Sequence, residues 1–230
     1  MAVAKPSAPK NLKQFRILIV DDHPLLREGL RGVINRVPDM MVCGEAENAP
    51  HAMSAVQKHA PDLALVDITL PGKSGLELVK DLKAAHPDLA ILAISMHDES
   101  LYAERVLRAG ASGYITKQQP PGELIKAIRQ VRDRHIYVSK QVSESLLRRI
   151  SLQSREEVSP VSLLTDREFE IMRMMGAGKA PSEIARQLHL SPKTIAVHTS
   201  NVRRKLNLKT TAQLIRFSVQ WEDLRNPTRD

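Results

Sequence analysis

Short apolar runs alternate with longer amphipathic stretches through the first 137 residues, and most of the runs end in a polar group. Ile17–Val20 is followed by Asp21 and Asp22, and Leu63–Val66 by Asp67. Ala90–Ile94 is closed by Ser95, and Gly113–Thr116 by Lys117. Runs of this length, too short for helices and apolar throughout, predict strands of a sheet buried on both faces. The pattern predicts strands at 16–20, 42–46, 63–66, 90–95 and 113–116, with helices at 24–36, 48–59, 75–85, 99–108 and 121–134. Five such units predict an α/β doubly wound five-stranded parallel sheet. Gly110 and Gly113 are placed to end a helix and turn into the last strand.

After Tyr137 the strand pattern stops. Val142, Leu146 and Ile150 share one side of a short helix over 139–150, and the Ser-, Gln- and Glu-rich stretch that follows reads as a linker. Beyond it a small all-α domain is expected. Its first helix opens with Thr165-Asp166-Arg167-Glu168, a capping-box pattern, and stops at Gly176 and Gly178. Pro181 opens a second, Ser191-Pro192 a third that runs to about Leu206, and the fourth covers 210–221. The expected organisation is a disordered tail at 1–13, an α/β domain at 14–137, a linker at 138–160 and a helical domain at 161–225.

Side chains at the carboxyl ends of parallel strands converge on one mouth. Here that mouth receives three carboxylates, a hydroxyl and an ammonium. Crowded carboxylates need a cation or a proton to coexist, and an all-oxygen set with few protein ligands suits Mg²⁺. Asp67, alone at its strand end, is the natural nucleophile for an aspartyl-phosphate. Ser95 and Lys117 are the donor types that would answer a phosphoryl group. A single Asp after a strand is ordinarily a helix cap. The case rests on all five occurring in order, with Pro71-Gly72 and Gly75 after the acceptor.

These residues resemble the CheY-like receiver domain of bacterial two-component response regulators, over Arg16–Lys117. The resemblance implies that Asp21 and Asp22 hold Mg²⁺ together with Asp67 and the backbone carbonyl of Thr69. It further implies that Asp67 accepts a phosphoryl group from a sensor histidine kinase, that Ser95 reorients toward it and that Lys117 bonds it. Tyr114 stands at the aromatic switch position. Gln118 occupies the place where the family often has proline.

In the second domain, a short helix, the Leu188–Ser191 turn and a basic helix form a helix-turn-helix whose last helix would enter the major groove of double-stranded DNA. Ile195, Val202 and Leu206 define its core side. The other face offers Lys193, Val197, Ser200, Asn201 and Arg204, with Arg203, Arg204 and Lys205 clustered near its end. Val197 suits a thymine methyl, Asn201 or Lys193 a base edge, and the basic cluster phosphates. Leu164–Glu168, Glu183-Ile184-Ala185, Ser191–Ile195, His198 and Lys205-Leu206 resemble the LuxR-type helix-turn-helix of the NarL/FixJ family. Thr194 and His198 complete the DNA-facing set. Ala196 stands where the family commonly has lysine, and Ala180-Pro181 where it favours Ser-Asn, so a family target sequence does not transfer.

Charge supports this division. Residues 1–13 carry a net +3, residues 14–137 a net −1 and residues 138–230 a net +6, within a total of +8. A near-neutral first domain and a basic second one point to a polyanionic partner for the second. Cys43, the single cysteine, permits no intrachain disulfide. No apolar run approaches a membrane span and the start has no hydrophobic signal core, so a cytoplasmic protein with no membrane partner is expected.

The expectation is a transcription regulator switched by phosphorylation, not an enzyme. It would form a homodimer when phosphorylated, with RNA polymerase a further partner. Two rivals are weighed beside it. An aspartyl-phosphate phosphatase or transferase would ordinarily carry a second Asp two residues after the nucleophile, where this chain has Thr69. A constitutive DNA binder with a vestigial receiver would not need all five site residues.

Overall fold

The computed structural model describes residues 14–96, 99–151 and 160–225. The tail at 1–13 lies outside the described residues, as does most of the linker after Ser151. Five strands, β1 (Phe15–Val20), β2 (Met40–Ala46), β3 (Leu63–Asp67), β4 (Ala90–Ser95) and β5 (Gly113–Thr116), alternate with five helices. The helices are α1 (Pro24–Ile34), α2 (Ala49–His59), α3 (Gly75–Ala85), α4 (Glu99–Arg108) and α5 (Pro121–Arg132). All strand pairs are parallel and the order is β2-β1-β3-β4-β5, as the doubly wound reading expects. The order reverses between β1 and β3, which opens a crevice beyond their carboxyl ends.

Residue alternation along the strands divides the packing. Ile17, Ile19, Leu63, Leu65, Leu92, Ile94 and Ile115 face α1 and α5, burying Leu30, Ile34, Leu124 and Ile128. Leu18, Val20, Ala64, Val66, Ile91 and Ala93 face α2, α3 and α4. The boundaries follow local chemistry. Asn48 caps α2 by accepting from His51 N–H at 2.9 Å, and Ser74 with Glu77 forms a capping box on α3. At Gly75 a Cβ would collide with the backbone of Asp67 and Ile68, so glycine is what lets α3 start beside the end of β3.

Beyond α5 come α6 (Lys140–Ser151), a 3₁₀ turn (Pro160–Leu163), α7 (Asp166–Gly176), α8 (Pro181–Gln187), α9 (Pro192–Lys205) and α10 (Thr211–Arg225). The 3₁₀ turn was not expected; four residues carry too little periodicity to register in a sequence. The Thr165–Glu168 capping box forms as read. Gly178, at φ 78°, turns the chain after α7, but Gly176 has a different role. A Cβ there would strike Ser218 of α10, whose hydroxyl donates to Met172 O at 2.9 Å, so this glycine serves helix packing.

The core facing α2, α3 and α4 runs on into the helical domain through Val161, Leu164 and Phe169. Tyr102 of α4 meets the Phe169 ring edge-on at 5.4 Å, and Phe169 meets Trp221 in the same way at 5.3 Å. Edge-to-face pairs at this spacing add to simple area burial. The two domains are therefore docked through α4 and α7.

Candidate functional site

The crevice beyond β1 and β3 gathers the side chains that the strand ends pointed to. Lys117 Nζ lies 2.7 Å from both Asp21 Oδ2 and Asp67 Oδ2, and all three groups are almost wholly shielded from solvent. Asp67 Oδ1 accepts from Thr69 N–H at 3.0 Å, so both oxygens of this carboxylate have partners. Burial and, secondarily, the neighbouring Asp21 drive the Asp67 pKa up to about 7, against the opposing pull of Lys117 and the Thr69 N–H. Burial works to lower the Lys117 pKa, but Asp67 and Asp21 together outweigh it and the net shift is upward.

Asp22 lies at the same mouth. Its Oδ1 is shielded from solvent and lies 2.8 Å from His23 Nδ1. Ligand atoms of Asp21, Asp22, His23 and Asp67 all lie within 4.8 Å of one another. A hard divalent cation fits this donor set. Lys117 pairs with two of the three carboxylates, and a small hard cation would offset the negative charge that remains. His23 was not among the residues singled out in the sequence; its proximity arises because the chain doubles back, with His23 N–H donating to Asp21 Oδ1 at 2.8 Å.

Ser95 is fully buried at the end of β4, and Tyr114, also fully buried, shares a hydrogen bond with it. Burial drives the Tyr114 pKa sharply upward, which keeps the phenol neutral. The Tyr114 side chain thus points into the protein, against Ser95.

The helix-turn-helix is α8, the turn through His189 (φ 51°) and α9. Ala180 offers α8 no side-chain cap, but Glu183 Oε2 accepts from the Ala180 N–H at 2.8 Å and closes that helix end. Ser191 Oγ accepts from Thr194 N–H at 3.0 Å and caps α9, with Pro192 in its first turn. Ile195 and Val202 are buried against the core and Leu206 packs partly on it. Lys193, Ser200 and Arg204 are exposed, and Val197 is 54% exposed, a large value for an apolar side chain.

The remaining members of the DNA-facing set are more occupied. Thr194 Oγ1 lies 2.8 Å from Ser191 Oγ, and Asn201 Oδ1 accepts from Arg204 at 3.3 Å. His198 is half-buried, and burial lowers its pKa. Arg203 donates to Lys209 O at 3.1 Å, tying the end of α9 to the next loop. Lys205 Nζ lies 2.7 Å from Glu168 Oε2 in α7. Arg203 and Lys205 therefore help hold the helix-turn-helix together, a role that helical spacing within α9 did not reveal.

Residues 17–129 match the family described as the response regulator receiver domain, and residues 162–218 match the bacterial regulatory proteins of the luxR family. The transcriptional regulatory protein DegU of Brevibacillus brevis is 32% identical over 231 residues, covering 94% of this chain and 98% of its own. The oxygen regulatory protein NreC of Staphylococcus epidermidis is 35% identical over 212 residues, covering 90% and 97%. Among solved structures, RcsB from Salmonella enterica serovar Typhimurium, bound to promoter rprA in the presence of the phosphomimetic BeF₃⁻, aligns with a TM-score of 0.60. It is 26% identical, over 90% of this chain and 98% of that one.

Proposed function

Because the chain belongs to the two-component response regulators that join a receiver domain to a LuxR-type helix-turn-helix, we propose that its DNA binding is switched by phosphorylation of Asp67. The observation that carries this reading is the convergence of Asp21, Asp22, Asp67 and Lys117 in one crevice, with Lys117 bonded to two of the carboxylates. Asp67 would attack the phosphorus of a phosphohistidine on a sensor kinase, forming a P–O bond as the P–N bond breaks and the imidazole nitrogen takes the electron pair and a proton. Mg²⁺ held by Asp21, Asp22, Asp67 and the Thr69 carbonyl would offset the charge gathering on the phosphoryl oxygens. Lys117, already against Asp67, needs only a small shift to meet a phosphoryl oxygen. Ser95 would leave its bond with Tyr114 to do the same, which links the phosphate to the buried aromatic ring.

The output face supports a particular mode of regulation. Lys193, Val197, Ser200 and Arg204 are exposed although the domains are docked. Phosphorylation then acts less by uncovering these side chains than by bringing two chains together as a homodimer, with two α9 helices on half-sites roughly 34–36 Å apart. RcsB, whose structures include dimers bound to DNA, is a relative of the same layout. Arg204 and Lys193 would meet phosphates or base edges and Val197 a thymine methyl. RNA polymerase would be a partner of the assembled dimer, and the cytoplasm is where kinase, DNA and polymerase coincide. No described helix is long and apolar enough to cross a membrane.

Incubation with radiolabelled acetyl phosphate and Mg²⁺, followed by alkaline hydrolysis, tests the assignment. Asp67→Asn should keep the fold and lose the alkali-labile label. Label retained at the parental level would remove Asp67 as the acceptor.

A further inference from the structure

Arg167, in the first turn of α7, reaches across the domain boundary into the loop between β3 and α3. Its Nη2 donates to Gly72 O at 2.5 Å and lies 3.4 Å from Leu70 O, while Nη1 pairs with Glu170 at 2.6 Å. Arg167 is 4% exposed. This loop begins at Asp67 and contains Thr69, whose N–H holds Asp67 Oδ1. A residue of the DNA-binding domain thus grips the segment on which the chemistry of the first domain depends.

A second set of contacts keeps it there. Arg105 of α4 donates to Val161 O at 2.5 Å and to Leu164 O and Asp166 Oδ1 at 3.2 Å, and its guanidinium lies 4.1 Å above the Phe169 ring. Asp166 also takes Lys80 Nζ at 2.7 Å. At the far side of the mouth, His189 Nε2 of the α8–α9 turn comes within 3.9 Å of Asp22 Oδ2.

We propose that Arg167 is a positioning residue for phosphorylation: docked, it holds the β3–α3 loop in the arrangement of the free carboxylate and so opposes formation of the acyl phosphate. This rests on Asp67 being the acceptor. Esterifying one Asp67 oxygen requires the Thr69 N–H and Lys117 to shift to phosphoryl oxygens, and the loop must move with them. Carbonyls pinned by a buried guanidinium resist that movement. At equilibrium linkage makes the effect mutual: if docking disfavours the acyl phosphate, the acyl phosphate disfavours docking by the same factor.

The test measures initial rates of acyl-phosphate formation on the full chain with acetyl phosphate and Mg²⁺. In this step an Asp67 oxygen bonds phosphorus and acetate departs with the electron pair. Arg167→Ala should speed labelling roughly tenfold, the scale of a charge-assisted hydrogen bond. Arg167→Lys, whose ammonium can serve one carbonyl, should fall between. Arg105→Ala loosens docking from the other side and leaves the Arg167–Glu170 pair intact, so it should also accelerate. The double variant should be no faster than the faster single. Parental rates in folded Arg167→Ala, or accelerations that multiply in the double variant, overturn the inference. If Arg167→Ala melts the helical domain, Arg105→Ala decides alone, and a parental rate there overturns it. Absence of alkali-labile label on the parental chain, or a full label on Asp67→Asn, would instead defeat the acceptor assignment itself.

Discussion

Lys205 Nζ, at the carboxyl end of α9, lies 2.7 Å from Glu168 Oε2 in the first turn of α7. Glu168 is buried and also serves the capping box with Thr165. The ion pair therefore locks the orientation of α9 against α7. Lys205→Ala should destabilise the helical domain by about 1–3 kcal/mol, since it strands a buried carboxylate while Lys205 itself is partly solvated. Urea denaturation of the full chain, followed by the fluorescence of the single tryptophan, Trp221, in α10, would show the earlier transition. An unchanged midpoint would assign Lys205 to DNA alone.

The same pair sets a pH dependence. Burial pushes the Glu168 carboxyl upward, but Lys205 and Thr165 outweigh it and hold the net value below the ordinary one. A carboxyl whose pKa is lowered in the folded state contributes stability that is present above its unfolded value, near 4.5, and lost as pH falls through the folded value. The helical domain should lose stability on the acid side of that value. Lys205→Ala should flatten this part of the profile, and melting curves between neutral and acid pH would record it.

Gly75→Ala places a methyl against the backbone of Asp67 and Ile68, neither of which can give way as a flexible side chain would. Overpacking of this kind costs about 1–3 kcal/mol. Because the clash falls on the carbonyl of Asp67, the proposed acceptor, labelling from acetyl phosphate should drop as well. Denaturation and labelling measured together check both parts.

Lys193 and Arg204 are the exposed basic side chains of α9. If both meet phosphates, replacing either with alanine should lower the slope of log K against log salt by about 0.9 per protomer. Val197→Ala should instead weaken binding with the slope unchanged. Fluorescence anisotropy across a salt series separates the two outcomes.

Much of this architecture was legible in the chain. Strand and helix positions followed from the contrast between short apolar runs and longer amphipathic stretches, because central strands covered on both faces favour continuous apolar runs. Asp21, Asp22, Asp67, Ser95 and Lys117 were legible for a related reason: in a parallel sheet, the residue after each strand is delivered to the same edge. The capping box of α7 and the Ser191-Pro192 start of α9 were readable because caps are local.

The sequence by itself thus determined the two domains, their chemistry and the mouth where the charged groups meet, all from interactions between near neighbours or from a repeating period. Only the tertiary structure decided how the domains join. Arg167 and Gly72 are 95 positions apart, and Arg105 and Asp166 are 61 apart. No period connects them. Arg167, Arg105 and Asp166 look like ordinary charged residues on helices until docking removes water from around them, and a guanidinium without water takes the backbone carbonyls and carboxylates within its reach. Tyr114 with Ser95 and Lys205 with Glu168 are the corresponding pairings inside each domain, while Arg105 and Arg167 join the two domains into one docked body.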